Sequence, residues 1–230
     1  DKDGTNINSS AFTTYTSGGV VNKVFELTTP YTSAQVFNLK FAQSADVMYI
    51  CHPLHEASKL SRTGHTSWSL DEIPFDGAAL LDANTTTTTL TPASASVGTS
   101  VNITASATTG INNDLGWLAT DVGRTIKFNS GVAKITARTN ATVAVCTITT
   151  AFANTNAIAS FQLGAFSDTT GHPSCVTFFE QRLVFAATAS NPQTIFFSQS
   201  GDFENFTTGT NASDGMKFTI GSDQVNAIKY

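Results

Sequence analysis

The chain has 230 residues, 40% of them hydrophobic and only 13% charged, with a formal net charge of −5. That length supports a sizeable core and one or two domains, and the charged share is about half of what is usual. Net acidity with scattered Lys and Arg argues against a dedicated nucleic-acid-binding module, whose phosphate contacts need clustered basic residues.

The sequence opens Asp1-Lys2-Asp3-Gly4 with no Met and no apolar signal region, and stops at Asn226-Ala227-Ile228-Lys229-Tyr230 inside a strand-like run. Both ends are therefore expected to be truncations. No apolar run approaches the roughly 18 residues of a membrane helix, so membrane insertion by this segment is not expected.

Period-two hydrophobicity dominates, and no long segment repeats apolar residues at three and four. Strands are predicted from Asn38 to Phe41, Asp46 to His52, Lys59 to Arg62 and Trp68 to Leu70. Val47, Tyr49 and Cys51 alternate with Met48, Ile50 and His52, which makes the second of these apolar on both faces. Further along, Val101, Ile103 and Ala105 alternate with Asn102, Thr104 and Ser106, a strand with one wet face. Ile126/Phe128, Ile135/Ala137 and Val143/Val145 repeat the pattern. Strands are predicted again from Cys175 to Glu180, Leu183 to Ala187, Thr194 to Ser198 and Met216 to Ile220. Turn formers such as Asn129-Ser130-Gly131 and Ser200-Gly201-Asp202 separate them. The fold class is all-β.

Composition divides the chain into residues 1–78, 79–165 and 166–230. The outer parts hold most of the aromatics, while the middle is rich in Thr, Ala and Asn and begins with a polar linker, Thr85 to Thr89. About five strands in the middle suffice for a small β-barrel inserted into the surrounding domain. In each outer part, four strands follow one another with a Pro-containing loop (Pro53, Pro192) after the second. Consecutive propeller blades show that order. Phe178, Leu183, Phe185, Phe197 and Phe218 are expected to share one core layer.

Candidate chemistry is sparse. Cys51-His52-Pro53-Leu54-His55, with His65 beyond it, is the one cluster that resembles metal ligands. Cys51 and His52 point to opposite faces of one strand and no second ligand pair exists, so no metal is expected. Asp71, Glu72 and Asp76 read as carboxylates of a solvated loop, and Asp168 with His172 as a Gly/Pro turn. Neither a nucleophile elbow nor a phosphate loop occurs. Cys51, Cys146 and Cys175 read as small buried thiols. Six Asn-x-Ser/Thr sequons, at Asn8, Asn84, Asn102, Asn140, Asn205 and Asn211, follow from composition alone. No catalytic residue and no cofactor are expected, and the chain does not read as an enzyme.

Several stretches together resemble a known family. Leu39-Lys40-Phe41-Ala42-Gln43-Ser44-Ala45-Asp46-Val47-Met48-Tyr49, His52-Pro53, Lys59-Leu60 and Arg62 through Trp68 resemble the tail nozzle (tail tubular) proteins of short-tailed bacteriophages. So do Pro173 and Val176 through Phe185, then Ser198 to Phe206 and Ser222 to Ile228. These cover most of residues 38–75 and 173–229 in the expected order, whereas residues 1–37 carry little beyond Asp3-Gly4 and Thr29-Pro30-Tyr31. Asp121-Val122-Gly123-Arg124 and Ala133 to Ala137 resemble the small β-barrel found in such proteins, similar in fold to a half-domain of ubiquitin-activating enzymes.

The resemblance implies a propeller-like platform in a homo-oligomeric ring, usually a hexamer, at the distal end of the virion tail. Its partners would be the tail adaptor protein, the tail fibres, and viral DNA that passes through the channel without specific binding. Genome retention and ejection would be its role, after synthesis in the bacterial host cytoplasm. The alternative is a carbohydrate-binding or glycan-hydrolysing tail or surface protein, with Trp68 or Trp117 stacking on sugar and the carboxylates of 71–76 or Asp168 acting on it.

Overall fold

Sixteen strands emerge in a computed structural model, which describes residues 15–16, 20–21, 27–64, 67–221 and 226–229. Among the described residues there is no α-helix. β1 (Tyr15–Thr16) and β2 (Val20–Val21) form a short hairpin. The other fourteen strands build three antiparallel sheets.

The first sheet is a meander of β3 (Lys40–Ser44), β4 (Val47–His52), β5 (His55–Gly64) and β6 (Ser67–Glu72), paired in chain order. The third has the same layout: β13 (Cys175–Phe179), β14 (Arg182–Ala186), β15 (Thr194–Phe197) and β16 (Met216–Thr219). Its first hairpin turns through Glu180 and Gln181, at φ 45° and 60°. Two consecutive positive-φ residues match the right-handed twist of the flanking strands.

Between them lies a six-stranded sheet ordered β12-β9-β10-β11-β8-β7. Its strands are β7 (Leu90–Pro92), β8 (Gly98–Ala105), β9 (Thr125–Phe128), β10 (Gly131–Arg138), β11 (Val143–Thr150) and β12 (Phe161–Leu163). Register shifts between β10 and β11, at Val132/Ala133 and Ile135/Ala137, add twist. The sheet curls into a half-barrel. Leu90 and Ile158 exchange backbone hydrogen bonds of 2.9 and 3.0 Å, which draws the β7 edge towards the segment entering β12. Trp117, Ile103, Ile126, Ile135, Ile148 and Phe161 fill the interior.

The first and third sheets pack on each other, β13 running against β3 and β4. Their common core joins Tyr49, Cys51 and Ala57 to Leu183, Phe185 and Phe196, with Phe206 from the loop before β16. Its rings meet mostly edge to face, as at Tyr49–Phe178 (5.9 Å, 76°) and Phe166–Phe196 (5.2 Å, 80°). The half-barrel leaves and rejoins this assembly at one place. Ala165 N–H donates to Ala79 O at 2.8 Å, and Leu81 N–H to Leu163 O at 2.8 Å.

Four expectations need correction. Phe178, Leu183 and Phe185 do share a core layer, but Phe197 and Phe218 line the opposite face, where Phe218 is 55% exposed. Consecutive apolar residues in Thr194-Ile195-Phe196-Phe197 hide the strand's phase, and Phe196 is the inward one. Thr85 to Thr89 is not a free linker either. Asn84 Nδ2 donates to the carbonyls of Thr86, Thr88 and Ala159, and Thr88 is buried. Asp71 and Glu72 end β6 rather than standing in a loop. Residues 226–229 carry no strand pairing; Ile228 bonds to the carbonyl of Pro192.

Candidate functional site

Four segments converge where the half-barrel meets the first sheet. Ser58 on β5 stands opposite Glu72 on β6, so Glu56, two residues earlier, is the diagonal neighbour of Glu72 on the same face. Lys134 comes from β10, and His172 from the segment that leads out of the half-barrel into β13. Together with Gly123 and Phe166 they line a cleft of about 380 Å³. Gly123, at φ +92°, lets the half-barrel turn approach closely: a β-carbon there would stand 3.3 Å from Glu56 Oε1 and 4.0 Å from Lys134 Cε.

Loss of water in the cleft, and then the neighbouring Glu72, raise the Glu56 carboxyl above its ordinary range, opposed by Lys134 and His172. Glu72 acts on Glu56 both as a hydrogen-bond partner and as a like charge.

The predicted residues separate. Cys51 faces the common core, whereas His52 lies beside His55, ring centroids 5.1 Å apart. His65 lies outside the described residues. Among the described residues, no group of three His, Cys, Asp or Glu side chains converges as metal ligands would. Asp168 and His172 do meet, at 3.0 Å, with Asp168 largely in solvent. The N–H of Asp76 donates to Glu204 O at 3.1 Å. All three cysteines are buried and free, and burial pushes the Cys146 thiol up to about 12, far from a nucleophile's range.

Trp117 is wholly buried in the half-barrel, so it presents no face to a sugar. Trp68 lies under the Arg62 guanidinium, 5.8 Å from its ring centroid. A larger cleft of about 550 Å³, bordered by Asn84, Asn112, Arg124 and Thr170, separates half-barrel and third sheet. Its polar groups are already engaged: Asn112 with Gly116, Asp121 and Arg124, and Thr170 with Ala165 and Ser167. Sequence reasoning missed Glu56 and Lys134, because only the return of the half-barrel onto β5 and β6 brings them together.

No protein-family model matches the sequence, and no curated protein matches it.

Proposed function

We propose that the chain is a structural part of the tail nozzle of a short-tailed bacteriophage, built as two neighbouring propeller-like blades with a small barrel inserted between them. The observation that carries this reading is a coincidence of motif and position. The two stretches that most resemble nozzle proteins, Leu39 to Tyr49 and Val176 to Phe185, occupy the same place in the two meanders: the first hairpin, β3–β4 and β13–β14. Blades of a propeller approach each other along their first strands, and here β13 lies against β3 and β4.

A blade between two neighbours is apolar on both faces. The outer face of the third sheet carries Val184, Ile195, Phe197 and the exposed Phe179 and Phe218. A scaffold around a DNA channel needs rigid sheets and a surface that does not grip phosphate, and a net charge of −5 suits that. Imaging the assembled particle tests the assignment. A closed ring on the tail axis is expected, and trimers at its periphery would overturn it.

Two results follow if the middle segment is an insertion in a scaffold. Excising residues 79–165 and joining Gly77 to Phe166 by a short Gly/Ser linker should leave the two meanders folded in the full-length protein, because Ala79 and Ala165 already touch. Loss of both meanders, read by hydrogen exchange, would refute the three-part division. Replacing Asp71, Glu72, Asp76 and Asp168 together by Asn should leave assembly and DNA delivery nearly intact, since exposed carboxylates contribute little singly. Particles that assemble but no longer degrade host glycan would favour the carbohydrate-directed alternative.

A further inference from the structure

Residues 27–38 cross the β4–β5 turn before the chain enters β3. Two side chains tie them down. The Tyr31 ring lies among two imidazoles, 5.2 Å from His55 edge to face and 6.2 Å from His52. Gln35 Oε1 lies 3.1 Å from His55 Nε2.

Both tautomers are fixed by what surrounds them. Gln35 Oε1 already accepts the Thr32 N–H at 2.9 Å, so that atom is the oxygen and His55 Nε2 must be the donor. Leu54 N–H donates to His52 Nδ1 at 3.2 Å, so that nitrogen carries no hydrogen. The two histidines therefore respond differently to acid. A protonated His55 keeps its bond to Gln35. A protonated His52 carries hydrogen on Nδ1 and must break with Leu54, while its ring, 2% exposed, becomes a buried cation beside a second one.

We propose that residues 27–38 are an acid-released strap, latched onto the β4–β5 turn by His52 and His55 around the Tyr31 ring. The charged groups nearby do not offset the new charge. Lys40 on β3 stands opposite Cys51, next to His52, and is itself a cation. Glu56 follows His55 on the alternate face of β5, where it meets Glu72 and Lys134. His172, whose N–H donates to Pro53 O at 3.3 Å, has its ring on Asp168. Burial, then the His55 charge, holds the His52 imidazole below its ordinary range. A depressed folded-state value means that the latch is complete above about pH 6.5 and is lost as pH falls through the lowered value.

Hydrogen exchange of the full chain between about pH 7.5 and about 4.5, corrected for intrinsic rates, reads the strap directly through the amides of Gln35, Val36 and Asn38, which are hydrogen-bonded within it. Their protection should fall on the order of tenfold in acid, as charge on His52 opposes the closed latch. The amides of β10 and β11 should stay protected, which separates strap release from acid unfolding. His52→Asn supplies an oxygen for the Leu54 N–H but cannot titrate, so its strap should stay closed throughout. His55→Gln keeps a donor for Gln35 and removes the second charge, so His52 is less depressed and the acid loss of protection should be smaller than in the wild type. Strap protection that is constant with pH in the wild type overturns the proposal. So does a loss as large as the wild type's in both variants.

Discussion

Phe185→Ala should destabilise the full-length subunit by about 3–5 kcal/mol, a large fraction of the roughly 5–15 kcal/mol that holds a domain together. The side chain is fully buried on β14, at the centre of the core shared by the two meanders. Its ring stacks on Phe206 at 5.6 Å and meets Phe75 and Phe166 edge to face at 6.4 and 5.9 Å. These neighbours come from three separate segments and are held by their own packing, so they close poorly over a cavity. Phe178→Ala should cost less, because that ring is only half-buried at the β3 side of β13, against Tyr49 and Phe203. Denaturant unfolding of both variants measures the difference. A loss below about 1 kcal/mol for Phe185→Ala would mean that β14 is one residue out of register. Under the nozzle reading the same variant should fail to form rings, because the face that carries Phe179 and Phe218 is the other side of this sheet.

The sequence carries the strands plainly wherever one face is wet and one dry. Ile103 and Ala105 are buried while Asn102, Thr104 and Ser106 are exposed, which is what their alternation predicts. The eight strands of the two meanders fall within a few residues of their predicted places, because each is bounded by a turn that only certain residues make. The edge strands β7 and β12 show no periodicity, since three residues are too few to display one. Where a strand is apolar on both faces the phase is lost, and Phe196 and Phe197 are exchanged. Juxtapositions across sheets leave no trace in a linear pattern. Glu56 and Lys134 are 78 positions apart, and Tyr31 reaches the two histidines only through the path of the strap. Arg182 shows the same limit. Its buried guanidinium donates to the carbonyls of Ser198, Ala212, Ser213 and Asp214, fixing the loop before β16, and nothing around position 182 announces it.

Asp121→Ala should cost a comparable 3–5 kcal/mol (about the value for stripping one partner from a buried ion pair), and it should do so in the half-barrel rather than in the shared core. Asp121 is 0% and Arg124 1% exposed, and they meet at 2.9 Å. The carboxylate also accepts from Leu118 N–H at 2.8 Å and Asn112 Nδ2 at 2.6 Å. Arg124 Nε reaches Gly164 O at 2.8 Å, and its Nη1 reaches Asn112 Oδ1 at 2.7 Å. The network thus ties the turn before β9 to the point where the chain leaves β12. Without Asp121 the guanidinium keeps its burial and loses its counter-charge, and the Leu118 N–H loses its acceptor. Arg124→Met in the same chain removes the stranded charge, so the double variant should recover part of the loss, although Gly164 O and Asn112 remain short of partners. The double-mutant cycle should return a coupling well above the roughly 0.3–0.5 kcal/mol scatter of independent sites. Added salt should change it little, because a buried pair is screened far less than an exposed one. If the double variant is as unstable as the sum of the two single ones, the pair is not coupled. The half-barrel would then owe its stability to the Trp117 core alone.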